Sequence, residues 1–133
     1  MAQPNIIVTE TDAQRLAGLL ETLPPKRRAD LAGLELELER ARVVSSREVP
    51  ADVVTMNSRV RFELGGAFTD ARLVYPTQSA EDDAISVLAP VGSALLGLSV
   101  GQTIEWRMPN GRLRSLRVVE LLYQPEAAGD LHL

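Results

Sequence analysis

"PVGSALLGLSVGQTIEW", residues 90–106, decides how the second half of the chain is read, because it fits either a nucleotide loop or a turn between strands. Gly92 and Gly97 have the spacing of a phosphate-binding P-loop, and Ser99 stands where that motif carries its hydroxyl. Leu98 occupies the place of the lysine that reaches the terminal phosphates. A P-loop also opens a long helix whose N-terminus faces the anion, whereas Gly101 here ends any helix almost as soon as it begins. Pro90 suits a first helical position, Ala94 and Leu95 a single packed turn, and Gly97 a C-cap. The spacing therefore predicts one short helical turn between strands, with its glycines serving turns and packing.

On either side of this stretch the period is two. Downstream, Ile104, Trp106 and Met108 share a face, "PNG" at 109–111 makes a turn, and a long last strand runs through Tyr123. Upstream, Val60, Phe62 and Leu64 alternate with Arg59, Arg61 and Glu63, and the Gly65-Gly66 turn leads into Ala71, Leu73 and Tyr75. Residues 76–83 read as a polar loop, and Ile85 and Val87 mark a third strand. Five strands broken by one short helical segment predict a small antiparallel sheet that must curl or be capped to bury its apolar face. The tail "QPEAAGDLHL" shows no clear period.

The first third is helical in pattern. Thr9 or Thr11 offers an N-cap, with Asp12 or Gln14 three residues later to close a capping box. Leu16, Leu19, Leu20 and Leu23 form one stripe, which Pro24 and Pro25 stop. From Pro25 to about Val44 the positions Leu31, Leu34, Leu38 and Ala41 recur at spacings of three and four. This predicts a two-helix hairpin whose stripes cover each other, reaching only about 20 Å at 1.5 Å per residue. Pro50 marks a linker, so residues 1–50 are read as hairpin plus linker and 51–133 as the sheet domain.

Composition narrows the chemistry. The 133 residues are 45% apolar and 24% charged, values of an ordinary folded protein. There is no run of about 18 apolar residues, and the first residues lack the basic segment of a signal peptide, so a cytoplasmic protein without membrane contact is expected. With no cysteine, disulfides, thiol catalysis and thiolate metal sites are excluded. The one histidine, His132, is penultimate and reads as a solvated tail residue rather than a catalytic group. A net charge of −4 argues against duplex binding by phosphate neutralisation, and no direct sequence-specific nucleic-acid contact is expected. Glu81, Asp82 and Asp83 are adjacent, unlike the spaced donors of a calcium loop. The hairpin tip carries Lys26, Arg27 and Arg28, a basic cluster able to touch an acidic partner or to stay hydrated. No carboxylate pair, activated serine or ligand cluster stands out, so the chain reads as a non-enzymatic binding protein with no cofactor and no metal.

A helical hairpin followed by a sheet bearing "VLAPVGSALLGLSVGQTIEWRMPNGRLRSLRVVEL" resembles the C-terminal, FKBP-like domain of the Gre transcript-cleavage factors. Ala89-Pro90, Ala94-Leu95-Leu96-Gly97 and Gly101-Gln102 stand at that domain's Ser-Pro, Ala-Leu-Ile/Leu-Gly and Gly-Asp elements. "DVVTMNSRVRF", "LVYP", "APVGSALLGL" and "YQPEAAGD" are more similar still to the Rnk family, Gre-related regulators of nucleoside diphosphate kinase that bind RNA polymerase. The resemblance covers nearly the whole chain. It implies an α+β fold: a short N-terminal antiparallel coiled coil followed by an FKBP-like curled antiparallel sheet with one short helix.

Gre factors insert a long coiled coil into the polymerase secondary channel, present acids there that help hold a catalytic magnesium, and grip the channel rim with the globular domain. The hairpin here is far shorter and its tip is basic, while the nearest acids, Glu21 and Asp30, sit back on the helices. The resemblance thus implies rim binding in competition with Gre-type factors, without transcript cleavage. It places part of the polymerase contact at Ala89, Pro90 and Val91, with Ser93 beside them. Met56, Asn57 and Ser58 lie where a domain junction would fix the hairpin's angle. Two alternatives accompany this reading: prolyl isomerisation on an FKBP-like sheet, although the chain has only two Phe, two Tyr and one Trp to line such a pocket, and direct regulation of nucleoside diphosphate kinase. A monomer is expected, since the two helices cover each other.

Overall fold

Alternating apolar and charged residues give the central strands one dry face and one wet face, and the fold is built by covering the dry one. The computed structural model describes residues 6–76, 83–107 and 111–130. In chain order the elements are β1 (Ile7–Thr9), α1 (Glu10–Glu21), α2 (Pro25–Asp30), α3 (Ala32–Arg40), β2 (Arg42–Val44), β3 (Arg59–Leu64), β4 (Ala67–Val74), β5 (Ala84–Ser86), α4 (Pro90–Leu95), β6 (Thr103–Arg107), β7 (Leu113–Tyr123) and α5 (Pro125–Ala128). Met108, the first two residues of the PNG turn, Glu81, Asp82 and His132 lie outside the described residues.

The main sheet has the order β5-β4-β3-β7-β6. Val60 and Phe62 of β3, Leu73 of β4, and Leu116 and Val118 of β7 are buried on its inner face. The outer face is laced by ion pairs: Arg61 reaches Asp70 at 2.8 Å and Glu120 at 3.2 Å, and Arg117 reaches Glu63 at 3.4 Å. These exposed pairs each contribute little to stability, on the order of 0.2–1 kcal/mol.

The structure corrects the expected fold class. The sheet is mixed and open, not an FKBP-like curled antiparallel sheet, because β5 runs parallel to β4 with Arg72 opposite Ala84 and Val74 opposite Ser86. β5 is fastened to β4 by Arg72 N–H to Asp83 O at 2.8 Å and Val87 N–H to Val74 O at 2.9 Å. Curling is unnecessary because other elements cap the apolar face. Ala94 and Leu95 of α4, then Leu96 and Leu98, join Leu16 and Leu20 of α1 in the same buried cluster as the sheet residues.

The expected two-helix coiled coil is likewise replaced, here by a three-helix arm. The predicted second helix breaks at Leu31, whose φ of −105° and ψ of 16° leave the helical range, giving segments of 6 and 9 residues. Neither sustains the heptads that a coiled coil requires. Helix α3 ends at Arg40, and the chain turns extended at Ala41 to form β2, which pairs in parallel with β1 (Ile7 opposite Arg42, Thr9 opposite Val44). The segment predicted as helix up to Val44 is therefore a strand at its end. The start of the tail is helical: Gln124 caps α5, Pro125 is its first residue, and Gly129 closes it at φ 82°.

Candidate partner-binding surface and its junction

The opening stretch of sequence is resolved by its glycines. A Cβ on Gly92 would run into Ser86 O, and one on Gly97, at φ +81°, would lie 2.6 Å from Ile6 Cβ. Both positions are sites of close backbone approach rather than a phosphate cradle. Gly97 O also accepts the N–H of Ile7 at 3.2 Å, which seats β1 on the end of α4.

Ala89, Pro90 and Val91 open α4 and are half-buried, with Ala89 as N-cap. Ser93 lies apart from them: it is 7% exposed, and its hydroxyl donates to Val87 O at 2.8 Å. It holds the turn from inside. At the far end of the chain's N-terminal part, Lys26, Arg27 and Arg28 are all exposed on α2. Arg28 pairs with Glu35 of α3 at 2.8 Å, an exposed contact that ties the two short helices together.

Met56, Asn57 and Ser58 are buried in a tight turn where the arm meets the sheet. Ser58 N–H donates to Thr55 O at 3.1 Å, and Thr55 N–H donates to Ser58 Oγ at 3.0 Å. Asn57 adopts φ 68°, a conformation asparagine tolerates better than most residues, and its N–H donates to Leu73 O at 2.6 Å. Thr55 Oγ1 donates to Glu126 Oε1 at 2.7 Å, so the hydroxyl proton between Thr55 and Ser58, 2.8 Å apart, belongs to Ser58. Helix α5 is thereby tied to the turn.

Sequence reasoning missed the group at the centre of this junction. Thr9 caps α1, its Oγ1 accepting the Asp12 N–H at 3.0 Å, but the Asp12 carboxylate does not serve only its own helix. It is 4% exposed, and its Oδ2 accepts the Met56 N–H at 3.1 Å while its Oδ1 accepts the Tyr75 hydroxyl at 3.4 Å. Burial pushes its pKa up to about 6; the Met56 N–H opposes the shift, Glu126 adds to it, and Thr9 and Arg15 lower it again. Burial, with the Asp12 charge beside it, also pushes the Tyr75 phenol up. The signal was in the spacing. Asp12, Leu16 and Leu20 are four residues apart, so the aspartate lies on the buried stripe of α1.

A second missed residue is Gln124, 4% exposed, whose Nε2 donates to Pro50 O at 2.8 Å and Val53 O at 2.7 Å. All the buried polar residues described except Ser93 belong to this junction or to the Gln124 link beside it. Among the described residues, no cluster of three or more acidic, His or Cys side chains could hold a metal, and no helix is long and apolar enough to cross a membrane.

Residues 49–123 match the family model of the GreA/GreB transcription elongation factor C-terminal domain, and residues 4–44 match that of the Rnk N-terminus. The regulator of nucleoside diphosphate kinase from Escherichia coli K12 is 48% identical over 134 residues, covering 98% of both chains. The transcription elongation factor GreA of Syntrophus aciditrophicus is 31% identical over 98 residues, covering 71% of this chain and 60% of its own. A solved structure titled as a prokaryotic transcription elongation factor GreA/GreB from Nitrosomonas europaea superposes with a TM-score of 0.70 at 48% identity, covering 91% of this chain and all of that one. The chain belongs to the Rnk family of regulators, in which an Rnk N-terminus precedes a GreA/GreB C-terminal domain.

Proposed function

We propose that this protein is a non-enzymatic transcription regulator that binds RNA polymerase near its secondary channel and competes there with longer Gre-type factors without stimulating transcript cleavage. The observation that carries the reading is the joining of a GreA/GreB-type sheet domain to a short arm whose exposed tip is Lys26-Arg27-Arg28. Helix α1 has 12 residues and is about 18 Å long at 1.5 Å per residue. A basic tip attracts acidic surfaces and repels divalent cations, so it suits docking and not the holding of magnesium. On the sheet domain, Ala89, Pro90 and Val91 supply a small half-buried apolar edge for the same partner. We place the protein in the cytoplasm, acting as a monomer.

Pull-down of core polymerase by the tagged protein, repeated with excess Gre factor, tests the proposal. Capture that falls as Gre factor is added is the expected result; no capture at all ends the proposal.

The name of the Escherichia coli relative favours a second reading, direct regulation of nucleoside diphosphate kinase. Co-elution of the two purified proteins in size-exclusion chromatography would support it. The prolyl isomerase alternative rested on an FKBP-like sheet and loses its basis with the open mixed sheet observed.

A further inference from the structure

Polar contacts join the arm to the sheet domain at its root. Ile7 N–H donates to Gly97 O at the base of the β1–β2 pair, and Arg15 of α1 shares a side-chain hydrogen bond with Tyr75. The buried carboxylate of Asp12 receives one donor from the 55–58 turn and one from Tyr75, just after β4. The two donors come from separate parts of the sheet domain, and both oxygens belong to the first turn of α1. Two hydrogen bonds converging on one planar group define the rotation of the helix about its root more narrowly than the packing of Leu16 and Leu20 alone, because hydrogen bonds are directional.

We infer that Asp12 is a positioning residue, whose carboxyl clamps α1 to the Met56 N–H and the Tyr75 hydroxyl and so sets the direction in which the basic tip leaves the sheet domain. Its importance for polymerase docking rests on the function proposed above; the clamp itself does not. A rotation of 10° at the root of α1 displaces a point about 18 Å away by about 3 Å, enough to misplace a charged tip against a rigid partner.

The groups facing the carboxyl come from every neighbouring element: Thr9 at the end of β1, Arg15 on α1, Glu126 on α5, Tyr75 after β4 and the Met56 N–H of the turn. Glu126 opposes negative charge there, so an amide is a suitable replacement. In Asp12→Asn the oxygen retains the Met56 N–H, and the new NH2 donates to the Tyr75 oxygen, which can accept as well as donate. Asp12→Ala removes both contacts.

The chain has no cysteine, so two can be introduced without interference. Spin labels at Ala29→Cys on α2 and Ser115→Cys on β7, both exposed positions, report the arm-to-sheet distance in the full-length protein by pulsed electron resonance. Asp12→Ala is expected to shift or widen the distance distribution by about 3 Å, and Asp12→Asn to restore the wild-type distribution. A folded Asp12→Ala protein with the wild-type distribution overturns the inference, as does an Asn variant no closer to wild type than the Ala variant. Should the Ala variant not fold, Tyr75→Phe decides: removal of one of the two clamping donors must widen the distribution, and an unchanged one overturns the clamp. Polymerase pull-down with the same variants separates the two proposals, because an arm that moves without any change in capture leaves the clamp standing and counts against docking through the tip.

Discussion

Gly97 and Ile6 approach so closely that no side chain fits between them, a Cβ at Gly97 lying 2.6 Å from Ile6 Cβ and 3.1 Å from Ile7 O at φ +81°. The glycine that mimics a phosphate loop in the sequence is the seat of the N-terminal strand. Gly97→Ala should therefore destabilise the protein by about 2–5 kcal/mol, combining a left-handed backbone penalty with overpacking. Gly101, at φ +90° with nothing near its would-be Cβ, isolates the first of these, and Gly101→Ala should cost only about 1–2 kcal/mol. Urea unfolding of both variants is the check; equal losses would show that the close approach to Ile6 contributes nothing.

Stability should fall with rising pH through the range in which Asp12 ionises. Its folded pKa of about 6 stands above the ordinary 3.8, so the native state holds the proton more tightly than the unfolded chain. The contribution is fully present below pH 3.8 and is lost as pH rises through about 6. Asp12→Asn has no such proton, and relative to wild type it should gain up to about 3 kcal/mol between pH 4 and 7.5, at about 1.4 kcal/mol per pKa unit. Asp70, held below its usual range by the Arg61 guanidinium, acts in the opposite sense in both proteins, so the difference between them reports Asp12. Parallel pH profiles would refute the assignment.

Gln124→Ala should lower stability by about 2–4 kcal/mol, because it leaves Pro50 O and Val53 O without their side-chain donor and uncaps α5. Thermal unfolding gives the loss, and hydrogen exchange should show it first at Ala127 and Ala128. A shift smaller than 0.5 kcal/mol, the scale of ordinary surface substitutions, would mean that water replaces the amide at no cost.

Reversal of charge at Lys26 and Arg27 separates docking from folding. Both are exposed on α2, so the double substitution to Glu should leave stability within about 0.5 kcal/mol. Polymerase capture should weaken about tenfold or more at low salt, with the difference shrinking as salt is raised. Unchanged capture would remove the tip from the binding surface.

The parts of the fold legible in the sequence are those whose cause is local. The alternation at 59–64, the Gly65-Gly66 turn, the Thr9 cap and the Pro90 helix start are written in neighbouring residues, and each appears at its predicted place. What was not legible depends on distant partners. Strand direction for β5, the pairing of Ile7 with Arg42, and the burial of Asp12 against Met56 arise only when remote segments meet. Of the candidate site residues, Met56, Asn57, Ser58 and Ser93 are all buried, and that the Ser93 hydroxyl is taken up by Val87 O depends on a residue six positions away lying beneath it.

The position of β3 between β4 and β7 has a consequence for how the molecule is made. As the chain is synthesised, β3 gains β4 at once across the two-glycine turn, but its other neighbour, β7, is translated only about 50–60 residues later. Until then the middle of the sheet is an unprotected edge, and the nascent chain is open to wrong pairing. A ribosome that stalls before β7 is made leaves β3 with an unpaired edge and an uncovered apolar face, a substrate for chaperones and proteases, so slowed translation should lower the yield of this protein more than its modest size suggests.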